Sequence, residues 1–251
     1  MARISLVSYT NSLPFKYGIE NALKEPFNLT LDYPAQCAAK LMNGEAEVGL
    51  VPVAALPKLS NFKIISDYCI GAQKYVDSVL LVSEVPLSEI KKVILDYQSM
   101  TSVKLTQILF AKYWKKKPAF EKAELDFIDK INGTTAAVVI GDRALDVKSK
   151  FKFVYDLATE WYNFTNTPFV FAVWVAHKNV SKVWIDEFNN ALKIGIENIA
   201  LVAQKAQKTI TNFQVLDYLQ NKISYNFNVE MQRGLALFSQ YSKELEPLLT
   251  K

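Results

Sequence analysis

Residues 4–14, Ile4-Ser5-Leu6-Val7-Ser8-Tyr9-Thr10-Asn11-Ser12-Leu13-Pro14, run from an apolar stretch of strand length through a polar turn into a helix that begins near its proline. Proline suits the first helical turn because its fixed φ is already helical and its missing N–H is not needed there. The same alternation continues outward. Leu29 to Tyr33 reads as a second strand stopped by Pro34, and Gln36 to Asn43 as a short helix with Ala38, Leu41 and Met42 on one apolar face. Gly44-Glu45 is the turn out, and Val48-Gly49-Leu50-Val51 is a third strand ended by Pro52. Ile64-Ile65 and Val79-Leu80-Leu81-Val82 are further strand candidates, and Ser83 to Glu89 reads as a linker.

A second series starts at Val93-Ile94-Leu95 and continues with a helix from Thr101 to Lys115, a strand at Leu125-Asp126-Phe127, and another at Ala136 to Ile140. Gly141-Asp142 then turns into a helical segment around Arg143 to Val147. The apolar run Phe169 to Val175 carries the chain back, and Ser181 to Lys193, Asn198 to Lys208, Asn212 to Leu219 and Val229 to Leu245 read as helices. Strands alternating with helices predict an α/β fold with mostly parallel sheets. The order predicts two lobes with two crossings: a discontinuous first lobe of residues 1–83 and 170–251 with the C-terminal helices, and a second of residues 84–169. A ligand cleft is expected at the carboxyl ends of the strands, where loops and helix N-termini converge.

Composition bounds the function. The chain has 251 residues, half of them hydrophobic, which is enough to bury a full core. Lys plus Arg number 29 against 25 Asp plus Glu, and a surplus of +4 spread along the chain attracts anions weakly and makes no nucleic-acid groove. Lys115-Lys116-Lys117 reads as the solvated end of a helix before Pro118. Cys37 and Cys69 form no CxxC pair and His177, a solvated strand end, is the one histidine, so neither a metal site nor a Ser-His-Asp triad is expected. Gly44, Gly49, Gly71 and Gly141 make no nucleotide-binding loop. The opening residues enter a strand directly and no apolar run reaches membrane-spanning length, so the expected location is the cytoplasm, with no membrane partner.

Four polar elements and one aromatic element are candidate site residues. Asn11 and Ser12 either cap the following helix or, for Asn11, point an amide at a substrate hydroxyl or carboxylate. After Val93-Ile94-Leu95 comes Asp96-Tyr97-Gln98-Ser99-Met100-Thr101-Ser102, where hydroxyls and free N–H groups at a helix start make a receptor for a carboxylate; capping explains only one of these hydroxyls. In Tyr75-Val76-Asp77-Ser78, Ser78 is either satisfied by the backbone or faces the cleft. Asp142 reads first as a helix cap. The segment from Trp161 through Thr167 to Phe169 either packs a hinge or walls a pocket for a flat ring.

These fragments resemble the chorismate dehydratase (MqnA) family of the futalosine route to menaquinone, which also holds the later naphthoate-forming enzyme. The likeness rests on Tyr9 to Pro14, Cys37-Ala38 with Leu41 and Gly44-Glu45, Val48 to Pro52, Ser78-Val79, Asp96 with Ser99 and Thr101-Ser102, Ile140-Gly141-Asp142, and Trp161 through Trp174, in this order and spacing over nearly the whole chain. The resemblance implies a periplasmic-binding-protein-like (type II) fold and a hydro-lyase that works without metal or organic cofactor. Its substrate would be the small dianion chorismate, which loses water to give 3-[(1-carboxyvinyl)oxy]benzoate. A proton would leave the ring carbon bearing the enolpyruvyl ether, the C4 hydroxyl would depart, and aromatisation would drive the step, leaving the protein mainly orientation and charge placement. On this likeness Asn11 is the critical catalytic group, Ser78, Ser99, Thr101 and Ser102 bind substrate, and Tyr9, Asp142, Trp161 and Thr167 line the pocket or hinge. An unperturbed amide is a poor proton acceptor, and the family is also associated with the substrate's own enolpyruvyl carboxylate as base.

Two positions depart from the family pattern: Asn166 stands where glycine is usual before Pro-Phe-Val-Phe, and Asn132-Gly133-Thr134-Thr135 replaces an alanine-rich approach to Gly-Asp. Asparagine tolerates a left-handed backbone better than most residues, so the turn at Asn166 is expected to survive. Three rivals remain: the naphthoate-forming enzyme acting on cyclic dehypoxanthine futalosine, whose opening region carries aspartates where this chain has Thr10-Asn11-Ser12; a non-enzymatic small-anion-binding protein; and a transcription-factor effector domain, which would lack its helix-turn-helix segment.

Overall fold

The computed structural model describes residues 1–249, with side-chain surroundings described through Leu245. The chain divides into two compact units, residues 1–71 with 170–229, and residues 72–169 with the C-terminal helix from Glu230.

The first unit opens with β1 (Ala2–Val7), a single 3-10 turn at Thr10–Ser12, α1 (Leu13–Ala22), β2 (Phe27–Asp32), α2 (Pro34–Met42), β3 (Val48–Pro52) and β4 (Phe62–Ala72). The second unit follows with β5 (Val79–Ser83), β6 (Lys92–Leu95), α3 (Thr101–Ile108) and its π-helical continuation to Tyr113, β7 (Ala119–Lys122), β8 (Thr135–Ile140), α4 (Asp142–Val147), β9 (Phe153–Asp156) and α5 (Leu157–Thr165). The chain then returns through β10 (Phe169–His177), α6 (Lys182–Glu197), α7 (Ile199–Ala206), the short α8 (Val215–Asp217) and β11 (Ser224–Asn226), and ends in α9 (Val229–Leu249).

The two sheets repeat one plan. The first has the order β11-β4-β10-β3-β1-β2 and the second β7-β6-β8-β5-β9. In each, the first strand of a parallel trio lies between the other two: β1 pairs in parallel with β2 and β3, and β6 with β7 and β8. An antiparallel strand then joins the third, β10 against β3 and β5 against β8. Because the chain leaves the central strand toward one side and returns on the other, a crevice opens beyond the carboxyl ends of β1 and β3, and of β6 and β8. Ligands of open α/β sheets bind at such switch points.

The apolar pattern explains the packing. Ile4 and Leu6 alternate toward one face of β1, while Phe15 and Ile19 of α1 are fully buried, each such side chain contributing about 2–3 kcal/mol. Phe15 meets the Trp174 ring edge-on at 5.6 Å, and Trp174 meets Phe188 at 4.9 Å. Helices α1 and α6 touch backbone to backbone, since a Cβ added at Gly18 would stand 2.0 Å from the Ala191 carbonyl oxygen.

The structure corrects several expectations. Residues 125–127 are not a strand: Asp126 has φ +59, and the strand instead follows Pro118 at Ala119–Lys122. The boundary at residue 83 moves, because β5 pairs with β8 and β9 and so lies inside the second unit. The C-terminal helix also belongs there, with Phe238 and Tyr241 packed on the Trp161 ring at 6.3 and 6.1 Å. Within the aromatic element, α5 now accounts for residues 157–165, and its end at Asn166 has φ +54, the left-handed conformation expected where glycine is usual.

Candidate functional site

Beyond β1 the turn is fixed by backbone bonds. Ser8 N donates to Asp32 O at 3.0 Å and Ser12 N to Tyr9 O at 3.0 Å. Neither Asn11 nor Ser12 caps a helix through its side chain, so the capping alternative does not apply. Ser12 Oγ instead donates to Asn11 Oδ1 at 3.2 Å, which orients the amide. The Asn11 Nδ2 group has no hydrogen-bond partner among the described residues, although the side chain is largely buried. A donor left over at a strand's carboxyl end is suited to a polar ligand.

Behind this turn lies a charged cluster. Asp32 Oδ2 accepts from Ser5 Oγ at 2.8 Å, Thr30 Oγ1 at 2.7 Å and Lys40 Nζ at 2.8 Å. Burial works to raise the Asp32 carboxyl, but the hydrogen bonds from Lys40, Thr30 and Ser5 outweigh it and hold the group below its ordinary value. The Cys37 thiol beside them is pushed up to about 12, chiefly by burial, and stays protonated and unreactive.

In the second unit, Asp96 occupies the carboxyl end of β6. Its carboxylate accepts from Gln98 N at 3.0 Å, Ile140 N at 3.2 Å, and Arg143 Nη2 at 2.9 and 2.8 Å, tying the loop after β6 to the end of β8. Burial raises the Asp96 carboxyl, with Arg143 and the backbone donors pulling against it. Ser99 Oγ accepts from Ser102 N at 2.9 Å, so Ser99 caps the start of α3. Thr101 and Ser102 are buried in the first turn of that helix, whose dipole favours an anion.

Ser78 is buried immediately before β5, and its carbonyl accepts from Gly141 N at 2.8 Å. Gly141 itself has φ +66 and ψ −152, a conformation reserved for glycine, and it is the N-cap of α4. Asp142 therefore lies inside the first turn instead of capping it, where its charge still favours the helix dipole. Ser78, Ser99, Thr101, Ser102 and Asp142 thus gather where β6 and β8 end and β5 begins. Asn11 and Tyr9 sit at the corresponding edge of the first unit.

Trp161 and Thr167 are placed differently. Trp161 is fully buried, edge-on to Phe169 at 5.2 Å, and its Nε1 donates to Thr167 Oγ1 at 3.0 Å. Both side chains are accounted for by packing under α9, with no surface of Trp161 left for a ligand.

Two residues escaped sequence reasoning. Asp156 Oδ2 accepts from Val76 N at 2.9 Å and Asp77 N at 2.7 Å, while Oδ1 caps α5 through Ala158 N and Thr159 N at 2.9 and 3.2 Å. An aspartate before a helix was a visible capping signal; the second pair of bonds, 80 residues away, was not. Arg143 carried no local signature at all. Among the described residues, no group of three or more His, Cys, Asp or Glu side chains could hold a metal ion, and no helix is long and apolar enough to cross a membrane.

Comparison with known proteins adds four findings. A family model described as menaquinone biosynthesis matches residues 2–244. A curated chorismate dehydratase of Thermus thermophilus is 25% identical, over 94% of this chain and 93% of that protein. Among solved structures, a structural-genomics protein of Archaeoglobus fulgidus superposes with a TM-score of 0.77 at 13% identity, covering 96% of each chain. A Candida albicans gene product described as having the generic periplasmic binding protein fold superposes with a TM-score of 0.62 at 12% identity, over 98% of this chain and 94% of that one. The fold is that of the periplasmic binding proteins.

Proposed function

The chain belongs to the menaquinone-biosynthesis family, and from that premise we propose that it is a chorismate dehydratase, a hydro-lyase converting chorismate to 3-[(1-carboxyvinyl)oxy]benzoate. The observation that carries this reading is the end-to-end similarity to a curated protein of that name. The polar groups at the two strand edges support it. A dianion needs donors more than nucleophiles, and the edges offer the Asn11 amide, the hydroxyls of Ser78, Thr101 and Ser102, and the N-terminus of α3.

In this reading Thr101, Ser102 and Ser78 hold the substrate carboxylates. Ser99 contributes by capping the helix that presents the first two. Asn11, its Oδ1 occupied by Ser12, offers Nδ2 as a hydrogen-bond donor near the reacting ring carbons. The proton lost from the ring carbon bearing the ether passes to the substrate's own enolpyruvyl carboxylate and from there to the departing C4 hydroxyl, which leaves as water, and aromaticity supplies the driving force. Orientation and placed dipoles are then sufficient catalysis, with no cofactor. The expected compartment is the cytoplasm.

The test is incubation of purified protein with chorismate, following substrate loss and appearance of the enolpyruvyl benzoate. Turnover is expected with and without chelator, and Asn11→Ala is expected to lose nearly all of it while remaining folded. Saturable chorismate binding without product would instead make this a binding protein.

A further inference from the structure

The turn that carries Asn11 has an unusual problem at its own carbonyl. Continuing the 3-10 turn of Thr10–Ser12 by one residue would pair the Asn11 carbonyl with the N–H of residue 14, and residue 14 is Pro14, which has none. An orphaned carbonyl in a buried turn costs free energy and leaves the turn poorly fixed. The donor comes from the far end of the chain: Tyr225 Oη donates to Asn11 O at 2.9 Å, across 214 residues of sequence.

Tyr225 is itself well held. It lies in β11, whose Ser224 pairs with Gly71 of β4, and Phe227 N donates to Asp67 O at 2.7 Å just beyond it. The ring is buried and meets Phe15 edge-on at 5.4 Å, so the phenol has one direction in which to point. Burial also pushes the phenol well above its ordinary value, which keeps the hydrogen in place at any working pH.

We infer that Tyr225 is a positioning residue for the reaction, acting through the backbone of Asn11 to hold its amide at the substrate; this rests on the dehydratase reading above. Its effect differs from that of a generic core tyrosine. Loss of the hydroxyl displaces one turn, and that turn carries the group nearest the chemistry, whereas the carboxylate-holding hydroxyls are on other segments.

The experiment compares the parent, Tyr225→Phe, Asn11→Ala and the double variant with chorismate, all below the lowest melting temperature of the four. Tyr225→Phe is expected to keep the parental far-UV spectrum, to lose about tenfold or more in kcat, and to keep KM within about twofold. In the Asn11→Ala background the same change is expected to cost nothing further, because Tyr225 has lost the group it positions. Parental kcat in folded Tyr225→Phe overturns the inference, as does an equal proportional loss in both backgrounds. A parent that binds chorismate without turning it over overturns the dehydratase reading, and this inference with it.

Discussion

The carboxylate of Asp156 accepts the backbone N–H of Asp77 at 2.7 Å, so the end of β9 holds the left-handed residue that precedes Ser78. The same carboxylate binds Val76 N and caps α5, giving it four backbone donors. Asparagine cannot replace it, because its NH2 group would face N–H donors. Asp156→Asn is expected to lose about 2–3 kcal/mol of stability in urea denaturation, from the cap and the paired donors together. On the dehydratase reading, KM for chorismate rises while kcat falls less, because Ser78 holds substrate. An unchanged KM in a folded Asp156→Asn protein would separate Ser78 from binding.

A second expectation concerns the buried pair of Asp96 and Arg143. One nitrogen, Nη2, serves both Asp96 oxygens and Gln98 Oε1 at 2.9 Å, and the guanidinium lies over the rings of Tyr97 and Phe127 at 5.5 and 5.7 Å. Arg143→Leu leaves a buried carboxylate without its cation and is expected to cost about 3–5 kcal/mol. Lysine lacks the planar fork and restores only part. The sign of the pH dependence follows from burial. Asp96 already sits above its ordinary 3.8, so its neutral form favours the folded chain and its ionisation opposes folding as pH rises through the raised value. Without Arg143 that opposition grows. The loss measured by denaturation is therefore greatest near neutrality and shrinks toward pH 4; a pH-independent loss would show that packing, not charge, is at stake.

Much of this was legible in the sequence because the local signals and the tertiary fold agree. Proline at residues 14, 34 and 52 marks the ends and beginnings of elements, and the four-residue apolar runs of β1, β3 and β5 are buried as read. Where reading failed, the deciding contact lies far away in sequence. Leu125-Asp126-Phe127 looks apolar enough for a strand, but Phe127 is drawn into the core beside Ile94 and Val139, with Asp126 turning the chain left-handed to deliver it. The C-terminal helix read correctly as a helix and wrongly as part of the first lobe, because it docks through contacts distant in sequence, among them those of Phe238 and Tyr241 with the Trp161 ring. Of the candidate site, the helix start at Ser99, Thr101 and Ser102 is visible through residue type and spacing; the contacts of Asp156 and Tyr225 span 80 and 214 residues, and no window along the chain contains both partners.

The Asp32 cluster makes a pH prediction of opposite sign. Its carboxyl is held below the ordinary 3.8, so the stability it contributes is fully present above that value and is lost as pH falls through the lowered one. Melting temperatures of the parent and Asp32→Asn, measured from pH 7 down to pH 3, are expected to differ most at the upper end and to converge below about pH 4. Lys40→Met should behave alike, since Lys40 Nζ lies 2.7 Å from Asp32 Oδ1. A gap that stays constant over this range would mean that Asp32 acts by shape alone. Its backbone carbonyl also holds Ser8, so a variant that shifts this strand end is expected to reduce turnover as well.

The seat of α1 is set by two glycines. A Cβ at Gly18 would meet Ala191 O at 2.0 Å, and one at Gly195 would meet Pro14 O at 1.9 Å. In both cases the obstacle is backbone, which cannot swing aside as a side chain does. Alanine normally favours a helix over glycine by about 1 kcal/mol, so the sign of each substitution decides between propensity and approach. Approach wins here: Gly18→Ala and Gly195→Ala must each push α1 and α6 apart, and a net loss of about 1–3 kcal/mol is expected in urea denaturation. The two differ in what else they disturb. Gly195 opposes Pro14, three residues after Asn11, whereas Gly18 lies a full turn further along the helix. Gly195→Ala is therefore expected to lower kcat for chorismate more than Gly18→Ala at similar cost in stability. Equal kcat in the two folded variants would show that the Asn11 turn is held by Tyr225 and Asp32 without help from the helix behind it.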